Sequence, residues 1–267
     1  MFDMINPAPG TLPLVVGVTT LPSRIHSMRP MLDSLLAQTH PPDRVLLGLP
    51  HLSLREARPY EQPAWLADYA PMLHVVPCAQ DWGPGTKLLA CLEHLPEPCV
   101  LVIADDDMYY RPFFLAQLYR YQSYDRHSSF SYCTYRYGPI DVAQGADGFS
   151  FYSPNLAGVA DFAQAALRSP QVRQVDDLWI SAFLQSRGIE VQSLRHLVPD
   201  QGNVYAASHL LNQLHQVSGD LGRGQAMREG TRFLLEQGLL GRRAQAEALL
   251  RKAARRALAL MALMARA

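Results

Sequence analysis

The sequence predicts an α/β fold: a mostly parallel sheet flanked by helices, with a C-terminal helical extension. Three observations predict it. Short runs that are apolar on both faces, such as "LPLVVGVTT" at 12–20 and "CVLVIA" at 99–104, suit strands covered on both sides by helices. These runs alternate with segments whose apolar residues recur at helical spacing. The composition, 48% hydrophobic and 18% charged over 267 residues, is globular, and the chain is long enough to bury a sizeable core.

The elements follow in order. After the strand at 12–20, "MRPMLDSLLAQ" (28–38) reads as a helix that the breaker "THPPD" ends. Strands are expected at 44–50 ("RVLLGLP") and 73–78 ("LHVVPC"). A helix over 86–95 ("TKLLACLEHL") leads into the strand at 99–104. Pro112 suits the first turn of a helix over 112–124. "FSYCTYRYG" (130–138) reads as one more strand, and "GADGFSFYSPN" (145–155) as a loop rich in glycine and aromatics. "DDLWISAFLQSRG" (176–188) is a helix opened by acids and closed by Gly188. The expected division is an α/β unit over 1–205 and a helical region over 206–267 that ends in a basic helix.

Formal net charge is zero, so no nucleic-acid partner is expected. The charge is unevenly spread. Residues 242–267 carry seven Arg or Lys against one acid, Glu247. From Arg242 the chain is helix-prone. On a helical wheel Leu249, Leu250, Ala253, Ala257, Leu260, Met261 and Met264 share one side, and Arg251, Lys252, Arg255 and Arg256 the other. Leu258 and Leu263 stray from the stripe. Such a helix lies on an anionic membrane or packs on protein; the one-signed polar face favours membrane or partner contact. Its longest apolar run, 257–265, is far short of a membrane span. The four cysteines show no zinc or redox spacing, and "MFDMINPAPG" is a poor signal peptide. A cytoplasmic protein with free thiols, peripheral at most on the inner face of the membrane, is the expectation.

Three stretches carry chemistry. In "VLVIADDDMYY" (100–110) an apolar strand ends in Asp105, Asp106 and Asp107, where ligands of open α/β sheets bind. On an extended backbone Asp105 and Asp107 point the same way, roughly 6.6 Å apart. A hard divalent cation would keep both ionised; the other reading is an acidic turn that caps the next helix. "DWGPGTKLLACL" (81–92) brings Asp81, two glycines and Lys87 to a helix entry, a place for an anion or simply a Gly-Pro turn. "VDDLWIS" (175–181) places Asp176 and Asp177 at a helix start, as cap and favourable charge or as reactive carboxylates.

Taken together and in this order, "VVGVTTLPSRI", "DWGPGTKL", "ADDD", "GFSFYSP" and "VDDLW" resemble the nucleotide-sugar glycosyltransferases of the Rossmann-like GT-A fold, especially the inverting, family-2-like group. The resemblance covers roughly residues 12 to 200. It implies a DXD motif, with Asp105 facing the donor ribose, Asp107 on Mn2+ or Mg2+, and Asp106 contributing to either. Thr19, Pro22 and Arg24 match the loop that cradles the nucleotide base, and Arg24 is also placed to bind a phosphate. Asp81 is implied on the uracil or ribose side and Lys87 at the base or diphosphate. Phe151 and Tyr152, with Trp179, are either acceptor contacts or core. Asp177 is implied as the catalytic base, with Asp176 as helix cap. A third metal ligand is implied from the region of His196, His209 and His215, and His209 is taken. The implied reaction moves a sugar from a nucleotide diphosphate donor, UDP-linked, to a hydroxyl of a glycan or glycolipid. A sugar nucleotidyltransferase and a non-catalytic, membrane-associated module are the rival readings.

Overall fold

The structure, a computed structural model, describes residues 11–195, 204–207, 222–240 and 246. In chain order its first half comprises β1 (Leu14–Thr19), α1 (Arg29–Leu36), β2 (Arg44–Pro50), β3 (Leu73–Cys78), α2 (Thr86–Leu89) and β4 (Val100–Ile103). Then come β5 (Met108–Tyr110), α3 (Phe114–Tyr124), β6 (Ser128–Ser131), β7 (Thr134–Tyr137), β8 (Ile140–Ala143) and β9 (Phe149–Tyr152). Last are α4 (Val159–Ala166), α5 (Pro170–Arg173), α6 (Asp176–Ser186), β10 (Glu190–Ser193), β11 (Tyr205–Ala207) and α7 (Arg223–Glu236).

Seven strands form one sheet in the order β10-β6-β9-β4-β1-β2-β3. All run parallel except β9, which is antiparallel to both β4 and β6. Side chains alternate across the pleat, so the strands feed two cores. Val15, Leu46, Leu101 and Ile103 pack on one face with Leu88 of α2, Trp179 of α6 and Met227 of α7. Val16, Val45, Leu47 and Val102 pack on the other with Leu32 of α1 and Leu115 of α3. The double covering is why these runs are apolar on both faces. The described part of the C-terminal region joins this body: β11 pairs with β5, and α7 packs on α5 and α6.

Three expectations are corrected. The helix expected over 86–95 is α2 alone, followed by a 3-10 turn at Leu92–His94; Leu95 is extended because it precedes Pro96. The strand expected over 130–138 is two, β6 in the main sheet and β7 in a hairpin with β8. The loop expected over 145–155 holds β9, an interior strand. Its aromatics Phe149 and Phe151 go to one core, and the Ser150 hydroxyl is satisfied on the other side by Gln122 at 3.0 Å.

Candidate active site

The site forms where β1, β3 and β4, parallel to one another, present their carboxyl ends. Beyond β4, Asp105 keeps 31% of its side chain exposed, whereas Asp106 and Asp107 are buried. Beyond β1, the Thr20 hydroxyl donates to Asp106 at 2.5 Å. Arg24 bonds Asp106 and reaches Asp107 at 2.9 Å, so its guanidinium is engaged with the acidic triplet rather than standing alone over a phosphate site. Burial pushes Asp106 up to about 6 against the pull of Arg24 and Thr20. Thr19 donates to the Gly48 carbonyl of the neighbouring strand, and Pro22 lines an open cleft of about 330 Å³ with Ser23, His26, Arg58, Pro59 and Glu61. Asp81, beyond β3, accepts from the backbone of Leu54 and Gly83, each at 2.7 Å, and so ties two loops together.

Lys87 is the centre of the arrangement. It is 3% exposed, and its ammonium meets Asp105 at 2.5 Å and Asp176 at 2.9 Å. Burial opposes its charge, but Asp105, Asp176 and Asp177 outweigh that and raise it well above the usual lysine value. Burial likewise opposes the Asp105 charge, and Lys87 more than offsets it, so Asp105 sits below its ordinary value. Lys87 thereby joins the acidic end of β4 to the acidic start of α6. The expected helix cap is absent: Asp176 is the first residue of α6, Val175 precedes it, and no side chain caps the helix. Asp176 is spent on Lys87 instead.

Asp177 is 4% exposed. Its Oδ2 accepts from Arg223, the first residue of α7, at 2.8 Å. Its Oδ1 has no hydrogen-bond partner among the described residues and lies against Gly145, where an added Cβ would come within 2.5 Å of it. The helix dipole at the start of α6 favours the ionised form. Burial and the neighbouring Asp176 outweigh the pull of Lys87 and Arg223, and Asp177 is pushed up to about 7. A carboxylate poised near neutrality suits proton transfer.

The aromatic candidates are not brought to this end. Phe151 and Trp179 are 0% exposed and belong to the core, leaving no ring face for a ligand. Trp179 instead supports the turn feeding α2, its ring lying where a Gly85 Cβ would be, 2.8 Å away. Tyr152 pairs with Val100 at the amino end of β4, three residues, or roughly 10 Å, before Ile103. Its ring lies 5.3 Å from the guanidinium carbon of Arg126. Tyr152→Ala is therefore expected to cost about 0.5–1 kcal/mol of stability, the cation–π contact, and to leave turnover within about twofold; a tenfold loss in steady-state rate would refute this placement. His209, with His196 and His215, lies outside the described residues, as do residues 242–267 apart from Ala246.

Four contributors escaped the sequence reading: Thr20, Tyr110, Gly145 and Arg223. The Asp105 backbone N–H donates to the Tyr110 hydroxyl at 2.8 Å. Only Arg223 left a local signal, a cation at a helix start, where the dipole disfavours it.

The donor set suits a hard divalent cation. Among the described residues no group of three or more His, Cys, Asp or Glu side chains is arranged to hold a metal ion by itself. Mg2+ and Mn2+ do not need one when water and substrate phosphate complete the shell. Asp105 and Asp107 offer hard oxygen donors of the kind such an ion prefers, with Lys87 and Arg24 beside them.

No protein-family model matches the chain. No curated protein matches it in sequence. Solved structures do. The mannosyltransferase PcManGT from Pyrobaculum calidifontis, in complex with GDP-Man and Mn2+, is 16% identical over 98% of this chain and 82% of its own, with a TM-score of 0.50. S. aureus TarS 1–349 in complex with UDP-GlcNAc is 15% identical over 86% of this chain and 70% of its own, with a TM-score of 0.52. At this identity the likeness is one of fold, and the chain has the GT-A fold. Among the described residues no helix is long and apolar enough to cross a membrane.

Proposed function

We propose that the chain is a metal-dependent glycosyltransferase that moves a sugar from a nucleoside diphosphate donor, UDP-linked, to a hydroxyl of a glycan or glycolipid, with inversion. One observation carries the reading: Lys87 draws Asp105 and Asp176 together at the carboxyl ends of the parallel strands of a GT-A sheet. The bound GDP-Man and UDP-GlcNAc of the two structural neighbours support a nucleotide-sugar donor; the UDP linkage and the inversion rest on the family resemblance.

Asp105 and Asp107 would hold Mn2+ or Mg2+, which when bound supplies positive charge for the leaving diphosphate. Thr20 and Arg24 fix Asp106 and Asp107, and Lys87 fixes Asp105. Thr19, Pro22, Arg24, Asp81 and Lys87 form the donor side. Asp177 takes the acceptor proton. The basic segment at 242–267 keeps its reading as a contact to an anionic membrane or to a protein partner.

The test is a thermal-shift screen of UDP-GlcNAc and GDP-mannose with and without Mn2+, because a ligand of the native state raises its apparent stability. A donor that stabilises only with Mn2+, and whose turnover stops in excess EDTA, is the expected result. Asp107→Asn is expected to abolish transfer while the far-ultraviolet circular dichroism stays unchanged. Full activity in excess EDTA would overturn the metal dependence.

A further inference from the structure

Asp177 is held from one side only. Its Oδ2 is bound by Arg223, while its Oδ1 is buried, without a hydrogen-bond partner among the described residues, and turned to the Gly145 backbone, where the lack of a Cβ leaves it room. We propose that Arg223 is a positioning residue for transfer: from the start of α7 it fixes one carboxylate oxygen of Asp177 and leaves the other to accept the proton of the attacking hydroxyl. The proposal rests on the reading of Asp177 as the base.

Arg223 is costly where it stands. It is the first residue of α7, no acid accompanies it in the first turn, and a cation there opposes the helix dipole. Its partners explain the position: Asp177 at 2.8 Å and the Tyr135 hydroxyl of β7 at 3.3 Å. The depth of α7 is set about two turns further on, at Gly230, where a Cβ would lie 2.9 Å from Leu178, the residue after Asp177. Close helix packing at that point carries Arg223 to the carboxylate.

Asp177 faces Asp176 on its own helix, Lys87 from α2, Asp105 from the end of β4, and Arg223 and Tyr135 from α7 and β7. Burial and Asp176 favour its protonated form; Lys87 and Arg223 favour the ionised form. Lys87 is shared with Asp105 and Asp176, so Arg223 is the cation whose ion pair is directed at Asp177. Removing the charge of Arg223 moves Asp177 further up, which leaves less base at neutral pH.

The side chain of Arg223 is 54% exposed, so replacing it leaves the core intact. The experiment titrates the carboxyl carbon of Asp177 by 13C NMR in the wild type, Arg223→Gln and Arg223→Lys, with the resonance assigned by its loss in Asp177→Asn. Arg223→Gln is expected to raise the midpoint by about one pH unit, the usual effect of one close opposite charge. Arg223→Lys is expected to restore most of that shift. UDP affinity in the presence of Mn2+, measured by calorimetry, should be unchanged in both. Release of UDP from UDP-GlcNAc by Arg223→Gln should fall about tenfold at pH 6.5 and approach the wild type as the pH rises and Asp177 ionises.

Equal midpoints in the wild type and Arg223→Gln would overturn the proposal, as would loss of UDP affinity with an unmoved titration, which would make Arg223 a donor ligand. A dead Asp177→Asn beside an unaffected Arg223→Gln would leave the base standing and remove only Arg223 from its role. An active Asp177→Asn would remove both.

Discussion

Asp177→Asn is expected to lose roughly a hundredfold or more in turnover, the range for removal of a general base, while keeping its affinity for donor and metal. A sugar hydroxyl attacks only when its proton has somewhere to go. Asp177 offers Oδ1, which has no competing hydrogen bond among the described residues, and burial with Asp176 beside it pushes the carboxyl up to about 7, which suits a proton acceptor at neutral pH. Asn keeps the size of the side chain but offers no charge. The comparison that makes the assignment sharp is Asp176→Asn. Asp176 is engaged with Lys87 and makes no helix cap, so its loss is expected mainly as a stability change. Nucleotide release and UDP affinity are to be measured on both variants. Normal turnover by Asp177→Asn, or a dead Asp176→Asn beside it, would reassign the base.

The strands that carry the site were legible because they are buried on both faces, and an apolar run bounded by Gly, Pro or acids is hard to misread. The acidic residues were legible for a related reason. Asp105, Asp106 and Asp107 break such a run abruptly, and Asp176 and Asp177 open a helix. What the sequence hid was the pairing. Nothing local joins Lys87 to Asp176 or Asp177 to Arg223, because each pair is separated by dozens of residues and made only by the packing of α2, α6 and α7 on one face of the sheet. The aromatic segment misled for the opposite reason. "GFSFY" has the composition of a binding loop, yet it is a four-residue strand inserted between β4 and β6, where its rings are worth more as core than as surface. Strand register, which the sequence does not print, put Tyr152 at the wrong end of β4 for an acceptor.

Lys87→Met is expected to be the most destabilising single change in the site, costing about 3–5 kcal/mol, because it breaks a buried ion pair by removing one partner. The ammonium is 3% exposed and serves two carboxylates at once. Methionine fills the volume but leaves Asp176 buried without its cation and Asp105 without its main counter-charge. The pH dependence follows from the sign of each shift. In the wild type Asp105 is held below its ordinary value, so its contribution to stability is present near neutral pH and is lost as the pH falls through that lowered value. In the variant Asp105 loses the cation that held it low and binds a proton more readily, so acid relieves the destabilisation. The gap between the two proteins should therefore be widest near neutral pH and narrow toward pH 4.5, as measured by urea unfolding at several pH values. Adding Asp176→Asn to Lys87→Met removes the orphaned charge and should recover part of the loss, a coupling that a double-mutant cycle reads directly. A deficit that is the same at both ends of the pH range, or a double variant no more stable than Lys87→Met alone, would mean that Lys87 holds the fold by packing and not by charge.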